Sequence, residues 1–286
     1  MLISSVWFVV KVVLAGLLGL LFMGIMRKLA ARFQHRVGPP IWQPFFDVMK
    51  LFSKEAISSR RESPYLILGP VISLAAYVAI ILLLPIGGLP SFNFYGSVIY
   101  VIYLFLMGVS GYIIAGFASG NPYGGIGGSR ELVQAFGFEL PFIIAILVPT
   151  LSILDIGASW FFLYPLAFAA FLIAVQGELA LPPFHITHAE QEIVAGVTTE
   201  LSGYKLALFE MAYAFKLFAL SSLITIIFLG GGGFWLFLTK TFLVVFLLTF
   251  VRVLFARLTI DQALKFFWLW AAPLAFIDLV RILVIA

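Results

Sequence analysis

Cysteine is absent from the 286 residues of this chain. Its absence excludes disulfides, thiolate-ligated clusters and soft-metal sites built from this chain alone. Charge is also scarce, since Asp, Glu, Lys and Arg make up 10% of the residues, against about 25% in a typical soluble domain. Hydrophobic residues account for 63%, and the mean hydropathy is +1.14. These proportions predict an integral membrane protein that is embedded in the lipid bilayer. We expect no nucleic acid among its partners.

The hydrophobic residues fall into unbroken runs of helix length rather than the short alternating segments of a membrane β-barrel. The first run has no basic leader and no small-residue cleavage site, so we expect a retained helix and not a signal peptide. Eight runs cover about 3–26, 65–84, 98–117, 132–154, 159–176, 204–229, 234–254 and 266–286. The sequence therefore predicts an all-α integral membrane protein, with about eight transmembrane helices bundled in a single transmembrane domain over 1–286.

The loop after the first run carries eight Lys and Arg residues and contains a segment with helical periodicity, Ile41–Lys54. One face of this segment would be apolar, formed by Phe45, Val48, Met49 and Phe52. Another face would hold Asp47, Lys50 and Lys54. Such a pattern predicts an amphipathic helix in the membrane interface.

Basic residues also predict the orientation of the chain. The loops at about 27–64, 119–130, 179–203 and 255–264, with their flanks, hold 13 of the 17 Lys and Arg residues. By the positive-inside rule these loops face the cytoplasm, and both termini of this multi-pass cell-membrane protein face outside. The glycines of GGIGG in the second of these loops would allow tight turns. No strand–turn–helix context makes them a nucleotide-binding fingerprint.

Glutamate is concentrated in one part of the chain, because seven of the nine lie between Glu131 and Glu210. Glu139 and Glu210 fall inside predicted helices, and the others fall near their cytoplasmic ends. A charged side chain at a helix centre costs about 2.5–3.5 kcal/mol on insertion scales, so such residues usually serve a function. We predict an acidic funnel that passes protons from the cytoplasmic surface into the membrane, formed by Glu139, Glu178, Glu190, Glu192, Glu200 and Glu210.

Two other interpretations of the carboxylates remain open. They could be neutralised structurally by Arg130, Lys205, Lys216 and backbone amides, since intramembrane charges commonly pair. A stand-alone secondary transporter could also use them for a substrate or a cation, although no inverted repeat is visible in the sequence.

His185 and His188 are three residues apart, and Glu192 lies one helical turn further on. Structural zinc sites usually need four ligands and often thiolates. We therefore predict no metal site here, and favour histidines that titrate or form hydrogen bonds.

Three stretches resemble successive motifs of one family: HRVGPPIWQPFFDVMKLFSKE, GFASGNPYGGIGGSRELVQAFGFELP and ELALPPFHITHAEQEIVAGVTTELSGYKLALF. The family is the eight-helix membrane subunit of respiratory complex I and its relatives, often called subunit 1. The resemblance covers most of the chain in the family's order, and the helix count and topology agree with it.

The resemblance implies a subunit that joins a membrane arm to a hydrophilic arm and has no catalytic residue or cofactor of its own. Iron–sulfur clusters, and in a hydrogenase also a NiFe centre, would belong to hydrophilic redox partners on the cytoplasmic side. Other membrane subunits would complete the ion-translocating arm. The family's proton path would begin at the junction with the hydrophilic arm, which here involves Arg36, Asp47, Lys50, Lys54, Arg130, His185 and His188.

The chain departs from the complex I pattern in the polar lining of its first and third motifs. Leu181, His185 and His188 stand where complex I members generally carry Arg, Asp and Glu, and Gln34-His35 replaces a Pro-Asn pair. In quinone-using members this lining faces the headgroup channel. The pattern is more similar to energy-converting membrane-bound [NiFe] hydrogenases and the related sulfane reductase. A quinone-site subunit of a true complex I is the alternative, and neither the electron acceptor nor the choice of proton or sodium follows from the sequence.

Overall fold

The computed structural model describes residues 2–57, 63–92, 96–151, 160–187 and 189–285. All regular elements in those ranges are helical: α1 (Leu2–Phe33), α2 (Gln43–Ser53), α3 (Leu68–Leu83), α4 (Ser97–Ala118), α5 (Pro122–Leu151), α6 (Trp160–Leu163), α7 (Pro165–Glu178), α8 (Glu190–Ile193), α9 (Gly203–Phe228), α10 (Phe234–Leu254), α11 (Ile260–Phe266) and α12 (Ala272–Ile285). Short 3-10 segments occupy Pro64–Ile67 and Gly196–Thr198, and a π-helical turn at Phe267–Ala271 joins α11 to α12. The prediction of an all-α integral membrane protein is confirmed.

Seven of the described helical segments are long and apolar enough to cross a membrane: α1, α3 with the 3-10 turn before it, α4, α5, α9, α10 and the continuous α11–α12 segment. At the position of the predicted fifth span stands the shorter apolar helix α7. It begins at Pro165, directly after the non-helical Tyr164. A proline disfavours helical backbone in the residue before it but suits the first helical position. The helix therefore breaks between α6 and α7.

The prediction of tight turns in the GGIGG loop was wrong, because α5 begins at Pro122 and runs through these glycines. At the N-terminus of this helix, the Asn121 side chain accepts a hydrogen bond from the Tyr123 amide at 2.9 Å. The glycines serve close helix packing instead. A Cβ atom on Gly116 would lie 2.8 Å from the Cα of Gly128, too near for any larger residue. Glycine permits both tight turns and close backbone approach, and the sequence does not distinguish them.

The chain forms two compact units. The first comprises Met1–Pro85, Leu89–Leu132 and Thr187–Ala219, and the second comprises Ile86–Gly88, Val133–Ile186 and Leu220–Ala286. That the whole chain acts as a single transmembrane domain stays a prediction.

In the first unit, α3 packs closely against α4. The Ser73 hydroxyl donates to the Gly108 carbonyl at 2.8 Å, and a Cβ on Gly111 would collide with this serine. At the end of α3, the buried Lys11 of α1 donates to the carbonyls of Leu82, Leu84 and Pro90 at 3.2, 2.6 and 3.1 Å. Since the last carbonyls of a helix lack intrahelical partners, Lys11 completes the hydrogen bonding of this end.

In the second unit, α12 contacts both sides of the break between α6 and α7. The buried Asp278 accepts a hydrogen bond from the Ala167 amide, in the first turn of α7, at 2.8 Å. One helical turn later, Arg281 donates to the Leu163 carbonyl at the end of α6 at 3.1 Å. A carboxylate at a helix N-terminus and a cation at a C-terminus both match the helix dipole. This pair of residues therefore stabilises the interruption.

Candidate functional site

The predicted amphipathic helix exists and is α2, two residues shorter at its start and one at its end than the periodic segment. Pro44 near its first turn and Val48 are buried, whereas Phe46, Met49 and Phe52 are exposed in the chain. An exposed apolar face beside exposed Lys50 is typical of a helix at a membrane interface. Lys54 follows the helix end and is exposed, as is Arg36 in the preceding connection.

The start of α2 is attached to α1. A guanidinium nitrogen of Arg27 lies 3.0 Å from a carboxylate oxygen of Asp47, and Gln43 donates to the other oxygen at 3.0 Å. Both members of the ion pair keep more than a third of their side-chain surface exposed. Exposed pairs contribute about 0–1 kcal/mol, so this contact can be exchanged at little cost. A Cβ on Gly24 would collide with the Ile41 carbonyl, which shows how closely α1 approaches this connection.

The chain that leaves α2 is attached to the start of α9. The Ser202 hydroxyl accepts from the Ile57 amide at 2.8 Å and donates to the Ile57 carbonyl at 3.0 Å. Gly203 has a positive φ of 54°, and a Cβ there would lie 2.8 Å from the Lys54 carbonyl oxygen. Only glycine satisfies both demands without strain. The segment around α2 is thus connected to α1 at one end and to α9 at the other.

Glu210 lies two turns into α9 and is partly buried. Arg27 and Asp47 are two charged groups that act on it electrostatically. Asp47 was assigned from the resemblance to the junction rather than to the acidic path, and Arg27 was assigned to neither. The structure brings both into the electrostatic surroundings of Glu210. In the sequence, Arg27 is marked only by its position as the first basic residue after the first apolar run.

Two further glutamates of the first unit have polar partners. Glu200 accepts a hydrogen bond from the Asn121 amide nitrogen at 2.6 Å, and Glu192 forms an ion pair with Arg130 at 2.6 Å. Arg130 is one of the residues named above as a possible structural neutralising partner of the carboxylates. Glu131 is 5% exposed, and its Oε2 atom has no hydrogen-bond partner within the described ranges.

The histidine region is described only in part. Glu190 begins α8, but the position of its side chain and the whole of His188 lie outside the described residues. His185 is partly buried. No group of three or more His, Asp or Glu suited to a metal ion occurs among the residues that the structure describes.

The second unit holds the remaining two predicted residues. Glu139 is partly buried in α5, just before Pro141, and Glu178 is the last residue of α7 and 3% exposed. The buried Gln134 forms hydrogen bonds before and after Glu178 in the chain. Its side-chain nitrogen donates to the carbonyls of Gly177 at 2.8 Å and Phe184 at 3.0 Å. A continuous acidic path that includes residues of both units stays a prediction.

Lys216 was considered only as a possible neutralising partner, and the structure gives it a distinct environment. It is 3% exposed, and its Nζ atom lies 5.7 Å from the ring centre of Tyr77 and 5.4 Å from that of Tyr112. Burying a lysine at a helix centre costs about 2.5–3.5 kcal/mol on insertion scales. Two cation–π contacts of about 1–2 kcal/mol each offset much of that cost.

Asp278 was missed altogether, although a lone Asp inside an apolar run is a readable signal of an intramembrane polar group. Its role at the α6–α7 break depends on a residue 111 positions away and was therefore invisible to local sequence reasoning.

Helices of membrane-spanning length that carry carboxylates and a buried lysine define a multi-pass membrane protein with polar groups inside its apolar layer. The family model described as NADH dehydrogenase matches residues 5–283, so the chain belongs to this family. The resemblance drawn from the three motifs is confirmed.

Similar proteins support this assignment over almost the whole chain. The NADH-quinone oxidoreductase of Geobacillus kaustophilus has a subunit, designated H, that is 33% identical over 299 residues, which cover 93% of this chain and 90% of that protein. Its counterpart in Bacillus cytotoxicus is 34% identical, with 92% and 88% covered. One chain of the solved membrane-bound sulfane sulfur reductase, an archaeal respiratory membrane complex, is 30% identical and superposes with a TM-score of 0.90, covering 98% of this chain and 99% of that one.

Proposed function

We propose that this chain is the membrane-anchoring coupling subunit of a complex I-like, ion-translocating oxidoreductase. It would hold hydrophilic redox subunits on the cytoplasmic side, contact other membrane subunits and pass charge changes from the junction into the membrane. The chain itself would carry no redox centre, so its contribution is mechanical and electrostatic.

The observation that carries this proposal is the connection between α2 and Glu210. Arg27 and Asp47 join α1 to α2, Ser202 joins the segment after α2 to the start of α9, and the same Arg27 and Asp47 act on Glu210. A partner docked over α2 would therefore be linked through one chain of contacts to a carboxylate within a membrane-spanning helix.

The proposed mechanism uses the exchangeable ion pair. When redox turnover in the docked module displaces α2, the distance between Arg27 and Asp47 changes. At an effective dielectric constant of about 20, two unit charges about 4 Å apart interact by about 4 kcal/mol, and the interaction weakens in proportion to distance. Moving Arg27 or Asp47 therefore changes the tendency of Glu210 to hold a proton. The proton would then pass along the acidic path formed with Glu139, Glu178, Glu190, Glu192 and Glu200.

A membrane-bound hydrogenase or sulfane reductase is the parent complex that the sequence favours. By the resemblance, Leu181 and His185 stand where complex I members generally carry charged residues that line the quinone channel. The matching chain of the sulfane sulfur reductase also aligns with this one over nearly its full length. The relatives from Geobacillus and Bacillus, which belong to NADH-quinone oxidoreductases, support a quinone-using complex as the second candidate. Assaying the purified native complex with protons, polysulfide and a soluble quinone would separate these acceptors.

The coupling function is tested in the purified complex, reconstituted into proteoliposomes. We expect Glu210→Gln to leave assembly and electron transfer largely intact and to reduce the ions moved per electron. Glu55→Gln is the matched control, because Glu55 is exposed and lies outside the proposed path. Undiminished ion transport by the Glu210→Gln complex would contradict the role of Glu210.

A stand-alone transporter is excluded or supported by a separate measurement. We expect the purified single chain to be inactive in liposomes, because the driving redox reaction resides in partner subunits. Substrate or cation transport by the isolated chain would favour the transporter instead.

A further inference from the structure

The amphipathic helix α2 turns a stripe of apolar side chains away from the rest of the chain. Phe46, Met49 and Phe52, here called the apolar stripe, follow one another at intervals of three residues, so they share one face of the helix. All three side chains are more than half exposed, as is Trp42 directly before the helix. An apolar patch of this kind, bordered by polar residues, marks a surface that contacts a membrane or a partner.

Backbone contacts with α1 fix the depth at which α2 begins. A Cβ on Gly38 would lie 3.2 Å from the Cα of Lys28, so the connection before α2 first runs beside the last turns of α1. Ile41, three residues further on, has its carbonyl where a Cβ on Gly24 would be. Gly24 is two residues before Met26, at which the apolar run of α1 ends. The start of α2 therefore lies at the edge of the apolar layer and not in the aqueous phase beyond it.

The charged side chains around the apolar stripe are mostly basic. Among the exposed residues between 32 and 57, Glu55 is the one acidic residue, whereas the exposed Lys and Arg residues are Arg32, Arg36, Lys50 and Lys54. Lys50 follows Phe46 by four residues and Lys54 follows Lys50 by four, so the two lysines continue the row beside the stripe. By the positive-inside rule this end of α1 faces the cytoplasm, where anionic lipids give the leaflet a negative surface.

A partner subunit is the competing cover for this surface, because the resemblance assigns Lys50 and Lys54 to the junction with the hydrophilic arm. Two observations favour lipid. The helix begins at the depth where the hydrocarbon of the bilayer ends, so lipid adjoins it there. The lysines also lie beside the stripe, which allows each aliphatic stem to follow the apolar surface while its ammonium reaches the headgroups.

We propose that the α2 segment is a binding site for anionic lipid of the cytoplasmic leaflet. The apolar stripe enters the hydrocarbon, and Lys50 and Lys54 bind headgroup phosphates. Trp42 lies at headgroup level, as tryptophan commonly does in membrane proteins. The inference goes beyond the coupling function and does not depend on it, since lipid contact requires neither redox turnover nor the acidic path.

The test identifies what touches the apolar stripe and which headgroup it carries. Phe46→p-benzoylphenylalanine places a photocrosslinking group in the stripe of the full chain, purified with its native partners. The protein is reconstituted into vesicles of equal parts phosphatidylglycerol and phosphatidylcholine. We expect crosslinks to lipid, with phosphatidylglycerol over-represented about fivefold or more, the ratio that corresponds to about 1 kcal/mol for one basic residue at an anionic surface. Mass spectrometry of the crosslinked product measures this ratio.

Charge variants then test the role of the two lysines. Combining Lys50→Gln with Lys54→Gln should bring the crosslinked lipids close to the bulk composition. Glu55→Gln is the matched control, since it neutralises an exposed acidic neighbour and should not lower the ratio. Salt gives a second measurement that needs no lysine substitution. At about 1 M, where the Debye length is about 3 Å, the preference for phosphatidylglycerol should fall even with both lysines present.

Each alternative has its own outcome. Crosslinks to a protein subunit in place of lipid would overturn lipid as the occupant of this face. Lipid crosslinks at the bulk ratio would overturn the preference for anionic headgroups, as would a ratio that neither the lysine variants nor high salt changes. These outcomes leave the coupling function untouched, because Glu210→Gln tests that function separately.

Discussion

Three carboxylates of the first compact unit are stabilised differently from Asp278 of the second. In the first unit Asp47, Glu192 and Glu200 each bond to another side chain and keep contact with solvent. In the second unit Asp278 is 1% exposed and bonds to a backbone amide at a helix start. A side-chain partner can be exchanged without unfolding, whereas a buried helix-end bond cannot. Asp47, Glu192 and Glu200 are therefore the carboxylates whose contacts a partner's movement can change.

The largest effect is expected at the buried carboxylate of the second unit. Asp278→Ala removes the acceptor for the Ala167 amide and leaves that donor buried. We expect a loss of about 2–3 kcal/mol in unfolding free energy, as for hydrogen bonds to charged groups. Thermal unfolding of the detergent-solubilised chain measures it.

Arg281→Ala is the control for this change, because Arg281 contacts the same break but is exposed. We expect it to cost about 1 kcal/mol or less. Equal costs for the two substitutions would mean that burial does not distinguish these contacts.

A middle-sized effect is expected where the segment after α2 meets α9. Gly203→Ala places a Cβ at a positive φ and against the Lys54 carbonyl. We expect a cost of about 1–2 kcal/mol from the backbone conformation alone, and a lower number of ions per electron in the complex. The two effects are measured by thermal unfolding and by proteoliposome transport.

Gly125 provides the matched control, since it is helical and a Cβ there meets open space. Gly125→Ala should stabilise the chain by about 0.5–1 kcal/mol and leave coupling unchanged. If Gly203→Ala behaved in the same way, the contact between the α2 segment and α9 would have no structural role.

The smallest effect is expected for the exposed ion pair of the first unit. Breaking Arg130–Glu192 by Glu192→Gln should change the unfolding free energy by less than about 1 kcal/mol. Raising the salt concentration should shrink the difference between native and variant chains further. A loss as large as that for Asp278→Ala would erase the contrast between the two units.

The membrane class, the helix α2 and the family were predictable from the sequence because each depends on local signals. Apolar run length predicts spans, and the spacing of Phe45, Val48 and Asp47 predicts the amphipathic helix. The break before α7 was also readable from Pro165, although the run was interpreted as one span.

Other features depend on contacts between distant segments. Whether GGIGG forms turns or a packed helix depends on the helix opposite it, which includes Gly116. Likewise Lys216, Lys11 and Lys240 look alike in the sequence, yet two complete helix ends and one lies over tyrosine rings. Their separate roles could be assigned only once the positions of α3, α4 and the segment after α9 were known.

The most direct test of the coupling account is the number of ions moved per electron by the reconstituted complex carrying both Glu139→Gln and Glu200→Gln. One substitution lies in each compact unit, so the variant interrupts the proposed path twice. We predict that the complex assembles and transfers electrons while ion movement falls close to the passive leak. Ion movement at the native ratio would contradict the account.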